Sequence, residues 1–375
     1  MRAPWALRSP VRRARNALSV AKLVARQRER WRAIAATAPR ADGPAVSYGV
    51  EAMPGPDDIV FGGAVKFSLL HERLPNAPRD FNVLYLGSTS IPLEARILVR
   101  LARRRGAPFV WNQDGVAYPG WYGDGWRLAN QPSAKLLRSA DAVFYQSSFC
   151  KLSADRFYGE PTGRWEILPN PVDTRRFTDS PRPDRPLTLL LGGNQYQRYR
   201  LETALETLAL VRREVPDARL LVAGVLSFAA DGERIARDLV RRLRLGGAVD
   251  LVGAYTQREA PSLMHRADIL LHTKYNDPCP TIVLEAMACG LPVVYSASGG
   301  VPELVGDEAG VGVPAPLDWE RDHPPSPKEL ARAVLTAAER RDELASAARR
   351  RAVERFDAER WVARHLQVFR ELLDR

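Results

Sequence analysis

The feature that most constrains the fold is an alternation of short apolar, β-branched runs with longer helical patterns, which occurs once in each half of the chain. The strand candidates of the first half are 45–50, 81–87, 108–113, 141–146 and 165–170. Those of the second half are 187–193, 218–224, 248–253, 267–273 and 291–296. This alternation predicts that each half is a doubly wound, Rossmann-like α/β unit with a parallel sheet and helices on both faces.

The proline- and charge-rich stretch "DSPRPDRP" separates the two halves and is interpreted as a linker. A chain of 375 residues is also longer than one hydrophobic core usually serves. The predicted segments, in chain order, are a basic leader and linker at 1–44, a first Rossmann-like domain at 45–178, a second at 187–356, and a C-terminal helix at 357–375 that packs back on the first domain. Two such domains are expected to face a central cleft at the carboxyl ends of their strands, where ligands bind.

The positive charge of the chain is concentrated at its N-terminus. The net charge is +11, but residues 1–40 hold 11 of the 55 Arg and Lys residues and a single acid, Glu29. The remainder is nearly neutral, which argues against a nucleic-acid partner. Apolar residues of the leader fall near one face of a helix with arginines around the rest, a pattern typical of a helix on an anionic membrane surface. The alternative interpretation is a solvated extension that docks on the body of the protein.

Several function classes are disfavoured by missing motifs. Three cysteines without neighbouring histidines argue against a disulfide framework and a structural zinc site, and they favour a reducing compartment. The sequence has no Gly-x-Gly-x-x-Gly, Walker A or Asp-x-Asp motif, which disfavours dehydrogenases, P-loop enzymes and a metal held by paired aspartates. We expect a cytoplasmic protein, peripheral at the inner face of the membrane if the leader binds lipid.

The stretch "NDPCPTIVLEAMACG" at 276–290 combines two carboxylates with the predicted start of a helix. Pro280 suits the first helical position, and the free backbone amides of the next turn, together with the helix dipole, would bind a phosphate. Asp277 and Glu285 flank this turn, where carboxylates accept hydrogen bonds from sugar hydroxyls. A phosphate beside hydroxyl-bearing groups is the chemistry of a sugar nucleotide, although the spacing alone also fits an ordinary helix start.

The same stretch, continued by "LPVV" and "SGGVPELV", resembles the donor-binding segment of glycosyltransferase family 4. Three further segments resemble that family in the same order: "VFGGAVKF" its glycine loop, and then "ADAVFYQSSFCK" and "ILPNPVDTRRF". The resemblance spans about residues 60–305 and implies the GT-B fold. It also implies a retaining, metal-independent enzyme that moves a hexose-like sugar from a nucleoside diphosphate to a hydroxyl of a glycan, lipid-linked or small-molecule acceptor, with no cofactor.

The resemblance implies a role for each matched residue of the donor site. Glu285 would accept hydrogen bonds from the ribose hydroxyls, and Asp277, standing where the family usually has Glu, would hold hydroxyls of the transferred sugar. The backbone amides that would bind the distal phosphate are those of Thr281, Ile282 and Val283. The residues that would let a first-domain loop approach the donor diphosphate or the acceptor closely are Gly62 and Gly63.

The cation that would stabilise the leaving diphosphate is the point where the sequence departs from the family. The family has an Arg just after the glycine that ends the first strand of the second domain, and a Lys a few residues on. Here Gly193 or Asn194 occupies the Arg position and no Lys follows. Arg198 and Arg200 are the cations at hand, and Arg198 is preferred for the catalytic role. The alternative is that both are solvated at the start of a helix.

The first-domain side of the cleft is predicted from "VWNQDGVAYPGWYGDGW" at 110–126. The resemblance places Asp114 where the family often contacts the donor sugar, so Asp114 joins Asp277 and Arg198 as a predicted catalytic residue. Aromatic residues of this loop would form a platform for sugar rings or, alternatively, pack against the domain: Tyr118, Trp121, Tyr122 and Trp126. His272, at the end of a buried strand, is expected to be structural.

Two other functions are compatible with this fold. A sugar-nucleotide epimerase of the GT-B type would need acid and base groups in the cleft, and the sequence offers no convincing pair of His and carboxylate. A non-catalytic sugar-nucleotide-binding scaffold at a membrane surface would need only the donor site and the basic leader.

Overall fold

A computed structural model describes residues 28–55, 58, 62–181 and 184–375 and shows two parallel β-sheets. The strands of the first sheet lie side by side in chain order, from β1 to β5, with bounds Val46–Ser47, Val83–Gly87, Phe109–Gln113, Ala142–Tyr145 and Arg164–Ile167. The second sheet has the order β11-β10-β9-β6-β7-β8. The bounds of β6 to β11 are Thr188–Leu191, Arg219–Ala223, Val249–Gly253, Ile269–His272, Val293–Ala297 and Gly310–Pro314. The prediction of two parallel-sheet α/β units is confirmed.

Most of these strands could be predicted from the sequence because they are buried on both faces of the sheet. β2, β3 and β4 are buried at every position, so their sequences are continuous apolar runs rather than alternating ones. The strand missing from the sequence prediction is β11, which pairs with β10 at the edge of the second sheet. Its sequence "GVGVP" is glycine-rich and mostly half-buried, so it lacks the apolar run that marks the others.

Helices cover both sheets. In the first domain, helices α1 to α5 have the bounds Gly62–Arg73, Ala95–Arg104, Pro119–Tyr122, Trp126–Leu137 and Ser148–Phe157. In the second, α6 to α10 have the bounds Arg198–Val211, Gly232–Arg242, Ala260–Met264, Thr281–Ala288 and Val301–Val305. The last three, α11 to α13, have the bounds Pro327–Glu339, Arg341–Arg355 and Ala358–Leu373.

Two helix starts differ from their predictions. Gly62 and Gly63, expected in a loop, are the first two residues of α1. Pro280, expected at the first helical position of α9, has an extended backbone with ψ 119° and stands just before the helix. A proline fixes its own φ but leaves ψ free, so it also fits the residue that precedes a helix.

Helix α13 packs on the first sheet although it follows the second domain in the chain. Trp361 and Phe369 of α13 belong to the same buried cluster as Tyr85 and Phe144 of the first sheet. The ring of His365 also contacts that sheet, with Nε2 2.9 Å from the hydroxyl of Tyr85. The end of the chain therefore ties the second domain to the first.

Only part of the predicted leader lies within the residues that the structure describes. Residues 1–27 lie outside the described residues, whereas 28–36 are helical and dock on the first domain. Ile34 is buried in the first-domain core, and Arg30 pairs with Glu94 at 2.8 Å and with Glu51 at 2.7 Å. Over these residues the structure matches the docking interpretation and gives no support to binding at a membrane surface. Within the described part of the chain, no helix is both long and apolar enough to cross a membrane.

The two domains touch beside the cleft through polar and aromatic contacts. Ser147 Oγ donates to the carbonyl of Pro278 at 2.8 Å, and Glu303 accepts a hydrogen bond from the backbone amide of Phe149 at 3.0 Å. Trp319, from the second-domain loop after β11, is buried in the first-domain core and stacks on Phe149 with ring centroids 5.3 Å apart. These contacts hold three second-domain segments against the first domain: the loop after β9, helix α10 and the loop after β11.

Candidate active site

A cleft of about 820 Å³ lies between the two sheets, at the carboxyl ends of their strands. The first domain lines it with residues that follow β2, β3 and β4, and the second with residues that follow β6, β7 and β9. Because parallel strands end together at one edge of a sheet, loops that are far apart in sequence meet there. The predicted central cleft is therefore present.

Asp277 lies in this cleft, on the loop between β9 and α9, and is buried. Its Oδ2 is 3.3 Å from His272 Nε2 and 3.2 Å from Lys274 Nζ. Burial opposes ionisation, but the charge of Lys274 and the contact with His272 outweigh it and hold the pKa of Asp277 below its usual value. Asp277 is thus a carboxylate at neutral pH, and its remaining acceptor sites suit hydroxyl donors.

His272, which was expected to be structural, also lines the cleft. It ends strand β9 and is almost completely buried, as its position in the sequence suggested. Burial lowers the pKa of the imidazole, so His272 is neutral near pH 7. Its contact with Asp277 is therefore one between a neutral ring and a carboxylate.

Glu285 projects into the cleft from the second turn of α9 and is 3% exposed. Gln257 Nε2 donates to its Oε1 at 3.2 Å. Burial raises the pKa of Glu285 to about 7, because one amide donor replaces little of the hydration that the carboxylate has lost. Hydroxyl groups of a bound ligand would supply the missing hydrogen bonds.

The start of α9 meets the cleft through two of its three predicted residues. Thr281 and Ile282 line the cleft. Val283 does not, because its side chain is fully buried in the second-domain core and its backbone amide donates to the carbonyl of Pro280 at 3.1 Å. The prediction for Val283 is therefore corrected, since the turn itself uses its amide.

The two candidate arginines point in different directions, because residues two apart on an α-helix are separated by about 200°. Arg198 pairs with Glu202 at 2.8 Å and is not among the described residues that line the cleft. Arg200 does line it and is buried, and its Nη1 donates to the carbonyl of Asn194 at 2.8 Å while its Nε has no hydrogen-bond partner. Burial lowers the pKa of Arg200. The structure corrects the preference for Arg198: Arg200 is the arginine that faces the cleft.

The sequence held a signal for this choice. Arg200 belongs to a buried helical face that recurs at intervals of three and four residues and includes Thr203, Ala204, Thr207 and Leu208. Arg198 lies off that face, one turn before the acid with which it pairs.

Lys274 is a cleft residue that the sequence analysis missed. It follows the end of β9 by two residues, lines the cleft, and has a side chain that is 25% exposed. Arg200 and Lys274 are the basic residues among the described residues of the cleft wall. Its position just after a parallel strand was the available signal, since that is where such folds bind ligands.

Asp114 lines the cleft from the first domain, but its carboxylate is engaged within that domain. Oδ1 accepts from Lys66 Nζ, while Oδ2 accepts from the hydroxyl of Thr89 and, at 3.2 Å, from its backbone amide. Lys66 is almost fully buried and also donates to Asn112 Oδ1 at 2.6 Å. Asp114 is therefore a fixed part of the first-domain wall, and a contact between it and a donor sugar stays a prediction.

In the aromatic loop, some side chains face the cleft and others pack against the first domain, so each of the two interpretations holds for part of the loop. Tyr118 and Trp121 line the cleft, and Trp121 is 47% exposed, which leaves its ring open to a ligand. Trp126 instead packs edge-on against Phe157, with centroids 5.1 Å apart. Tyr118 contacts Trp319 edge-on at 5.2 Å, which joins the loop to the second domain.

Residues 173–352 match the family model described as glycosyl transferases group 1. The match covers just under half of the chain and coincides with the second domain. The match includes every second-domain residue of the cleft wall described above, from Arg200 to Glu285. Asp277 and Glu285 therefore lie inside a recognised group 1 segment, and the first domain lies outside the matched range.

Curated relatives of the chain are glycosyltransferases. The chain is 29% identical over 254 residues to a GDP-mannose-dependent alpha-(1-6)-phosphatidylinositol monomannoside mannosyltransferase of Mycolicibacterium smegmatis, with 61% of this chain and 62% of the relative covered. It is 28% identical over 240 residues to a glycogen synthase of Mycobacterium tuberculosis, with 62% and 55% covered. The chain thus spans less than two thirds of the length of these relatives.

Solved structures show the same two-domain fold. A sucrose-phosphate synthase from Thermosynechococcus elongatus superposes with a TM-score of 0.65 at 20% identity, over 82% of this chain and 76% of that one. Anabaena HepE in complex with UDP-glucose superposes with a TM-score of 0.61 at 18% identity, over 83% and 82%. These likenesses confirm the GT-B fold.

Proposed function

We propose that this protein is a retaining, metal-independent glycosyltransferase that moves a hexose-like sugar from a nucleoside diphosphate to an acceptor hydroxyl. The observation that carries the proposal is the sequence of groups along the second-domain wall of the cleft: Glu285, the start of α9, and Asp277. Two buried carboxylates separated by a helix start match a ligand whose hydroxyl-bearing ends are separated by phosphate. The solved relative HepE holds a ligand of this class, UDP-glucose.

The residues would divide the donor among them. Glu285 would accept hydrogen bonds from ribose hydroxyls, and Asp277 from hydroxyls of the sugar to be transferred. The amides that open α9, beside Thr281 and Ile282, would bind the distal phosphate, and Arg200 would add a fixed positive charge. Trp121 offers an aromatic face to the acceptor, which would be a glycan, a lipid-linked sugar or a small molecule.

The chemical step would depend on positioning and electrostatic stabilisation. The bond between the anomeric carbon and the diphosphate oxygen breaks, and its electron pair stays on that oxygen. The acceptor oxygen bonds to the anomeric carbon on the same face, and its proton passes to the departing phosphate. This route needs no base from the protein, because the departing phosphate itself accepts the proton.

A panel of nucleotides tests the proposal. Nucleosides, their monophosphates, diphosphates and diphospho-sugars would be screened by thermal shift, because a ligand of the native state raises the melting temperature. We expect a diphosphate or diphospho-sugar of one base to give the largest shift, and Glu285→Ala to abolish most of it. Glu339→Ala, an exposed glutamate on α11, is the matched control and should leave the shift unchanged. No shift with any diphosphate would refute the proposal.

The transfer itself needs a second measurement. The donor identified by the screen would be incubated with and without candidate acceptors, and release of the nucleoside diphosphate and the anomeric configuration of the product would be followed. We expect Asp277→Ala to lower turnover by roughly 100-fold or more, the scale for the loss of one transition-state contact, with retained diphosphate binding. Binding without any release of diphosphate would favour the non-catalytic scaffold, and interconversion of free sugar nucleotides would favour the epimerase; the group 1 match favours neither alternative.

A further inference from the structure

The cleft carries little positive charge for a site that would bind a diphosphate. Arg200 and Lys274 are the basic side chains among the described residues of its wall. A diphosphate brings concentrated negative charge, and its departure adds charge on the bridging oxygen, so at least one well-placed cation is expected to contact it.

Arg200 is held in place by its own surroundings. It is 4% exposed, it is tied to the carbonyl of Asn194 at 2.8 Å, and burial lowers its pKa. It can act on a ligand as a fixed charge, but its side chain has little room to follow one.

Lys274 has the freedom that Arg200 lacks. Its side chain is 25% exposed, and the ion pair with Asp277, at 3.2 Å, leaves two of its three N–H donors for other acceptors. A lysine ammonium is a compact charge on a flexible stem that can turn toward a phosphate without a fixed fork geometry.

The position of Lys274 along the cleft indicates which part of a donor it would meet. Its ammonium lies beside Asp277, the carboxylate assigned to the transferred sugar, and Asp277 precedes the helix start assigned to the distal phosphate by four residues. The ammonium is therefore near the junction of sugar and diphosphate, where the bond breaks.

We infer that Lys274 is the principal cation for the leaving diphosphate, an inference that rests on the proposed function. When the bond from the anomeric carbon to the phosphate oxygen breaks, the electron pair left on that oxygen is stabilised by the Lys274 ammonium. The positive charge that stabilises the leaving diphosphate is thus supplied by the loop after β9. The loop after β6 has the uncharged residues Gly193 and Asn194 instead. Asp277 gives up one contact with Lys274 and gains the sugar hydroxyls in exchange.

The test measures how much the second phosphate contributes to binding. Calorimetric dissociation constants for the nucleoside monophosphate and diphosphate of the base found by the screen would be compared in the wild type and in Lys274→Met. We expect the preference for diphosphate over monophosphate to fall by roughly 10-fold or more in Lys274→Met, the loss for one charged hydrogen bond. Lys274→Arg should keep most of it. Lys328→Met, an exposed lysine of α11 in the same domain, controls for the change in net charge.

A second background separates direct contact from an effect through Asp277. Lys274→Met would also be made in Asp277→Asn, where the ion pair no longer exists. The inference holds if the diphosphate preference still falls there and kcat for donor cleavage falls with it. It is overturned if Lys274→Met has no effect in the Asp277→Asn background, because Lys274 would then only position Asp277.

The outcomes distinguish this inference from the proposed function. If the wild type binds no diphosphate, the proposed function fails. If the wild type binds diphosphate and Lys274→Met keeps the same preference, only the role of Lys274 is refuted, and the charge must come from Arg200 and the amides of α9.

Discussion

Each wall of the cleft carries an aspartate paired with a lysine, and the two pairs differ in how much of their bonding capacity the protein itself uses. Lys66 and Asp114, in the first domain, have side chains that are 2% and 6% exposed. Lys274 and Asp277, in the second, are 25% and 12% exposed. Both pairs join residue types that sequence analysis treats alike, so their surroundings decide what each can do.

The first pair is closed by its neighbours. Lys66 contacts both Asp114 and Asn112, and both oxygens of Asp114 have donors, the second of them Thr89. The second pair is open: the ammonium of Lys274 meets one oxygen of Asp277 at the edge of the cleft. In a closed pair the protein uses the hydrogen-bonding groups, so the pair stabilises the structure of the cleft wall. In an open pair some donors and acceptors are left for a ligand. The difference also explains why Asp114, although predicted as catalytic, is the less suitable ligand contact.

Removing the lysine of the closed pair should have the largest effect. Lys66→Met leaves the buried carboxylate of Asp114 without its cation, and we expect a loss of about 3–5 kcal/mol in the free energy of unfolding. Urea unfolding followed by circular dichroism measures it. The double variant Lys66→Met/Asp114→Asn should recover part of the loss, because no buried charge is then left unpaired. A loss no larger than that of Lys328→Met would show that the pair is not closed as described.

A buried acid with no lysine beside it sharpens the comparison. The pKa of Glu285 is raised from its usual 4.5 to about 7, so between these values the folded protein holds a proton that the unfolded chain has lost. The free energy of unfolding of the wild type should therefore fall, relative to Glu285→Gln, as pH rises from about 5 to about 7.5. Urea unfolding of both proteins at several pH values tests this. A constant difference across that window would mean that Glu285 is already ionised at its lower end.

Asp277 of the open pair should make the free energy of unfolding rise with pH, opposite to the effect of Glu285 and at lower pH. The pKa of Asp277 lies below its usual 3.8, so its ionised form stabilises the fold above that value, and the contribution is lost as pH falls further. Between about pH 5 and pH 2, we expect the wild type to lose more stability than Asp277→Asn. Parallel acid titrations of unfolding, read by tryptophan fluorescence, provide the measurement. Identical slopes would indicate that Lys274 does not hold the carboxylate in its charged form.

The smallest effect is expected from Lys274→Met. Because water reaches this ammonium, its removal should cost less than about 2 kcal/mol of unfolding free energy, well below the loss for Lys66→Met. Urea unfolding under the same conditions gives both values. Equal losses for the two lysines would end the distinction between a closed and an open pair.

Much of the site was predictable because it is local in the sequence. Asp277, Thr281, Ile282 and Glu285 lie within one loop and one helix, so their common place in the cleft follows from short-range geometry. Arg200 could also have been preferred from its buried helical face. Lys66 could not have been paired with Asp114 in this way, since 48 residues separate them and only the packing of α1 on the sheet brings them together.

The sequence by itself determined the two parallel sheets, the cleft between them and the stretch that carries both second-domain carboxylates, because apolar periodicity and helix-start patterns act over a few residues. The tertiary structure decided which charges are available. It buried Lys66 against Asp114, turned Arg198 toward Glu202 and Arg200 toward the cleft, and left Lys274 open beside Asp277. The physical reason is that the freedom of a charged side chain depends on every element packed around it, and those elements are distant in the sequence.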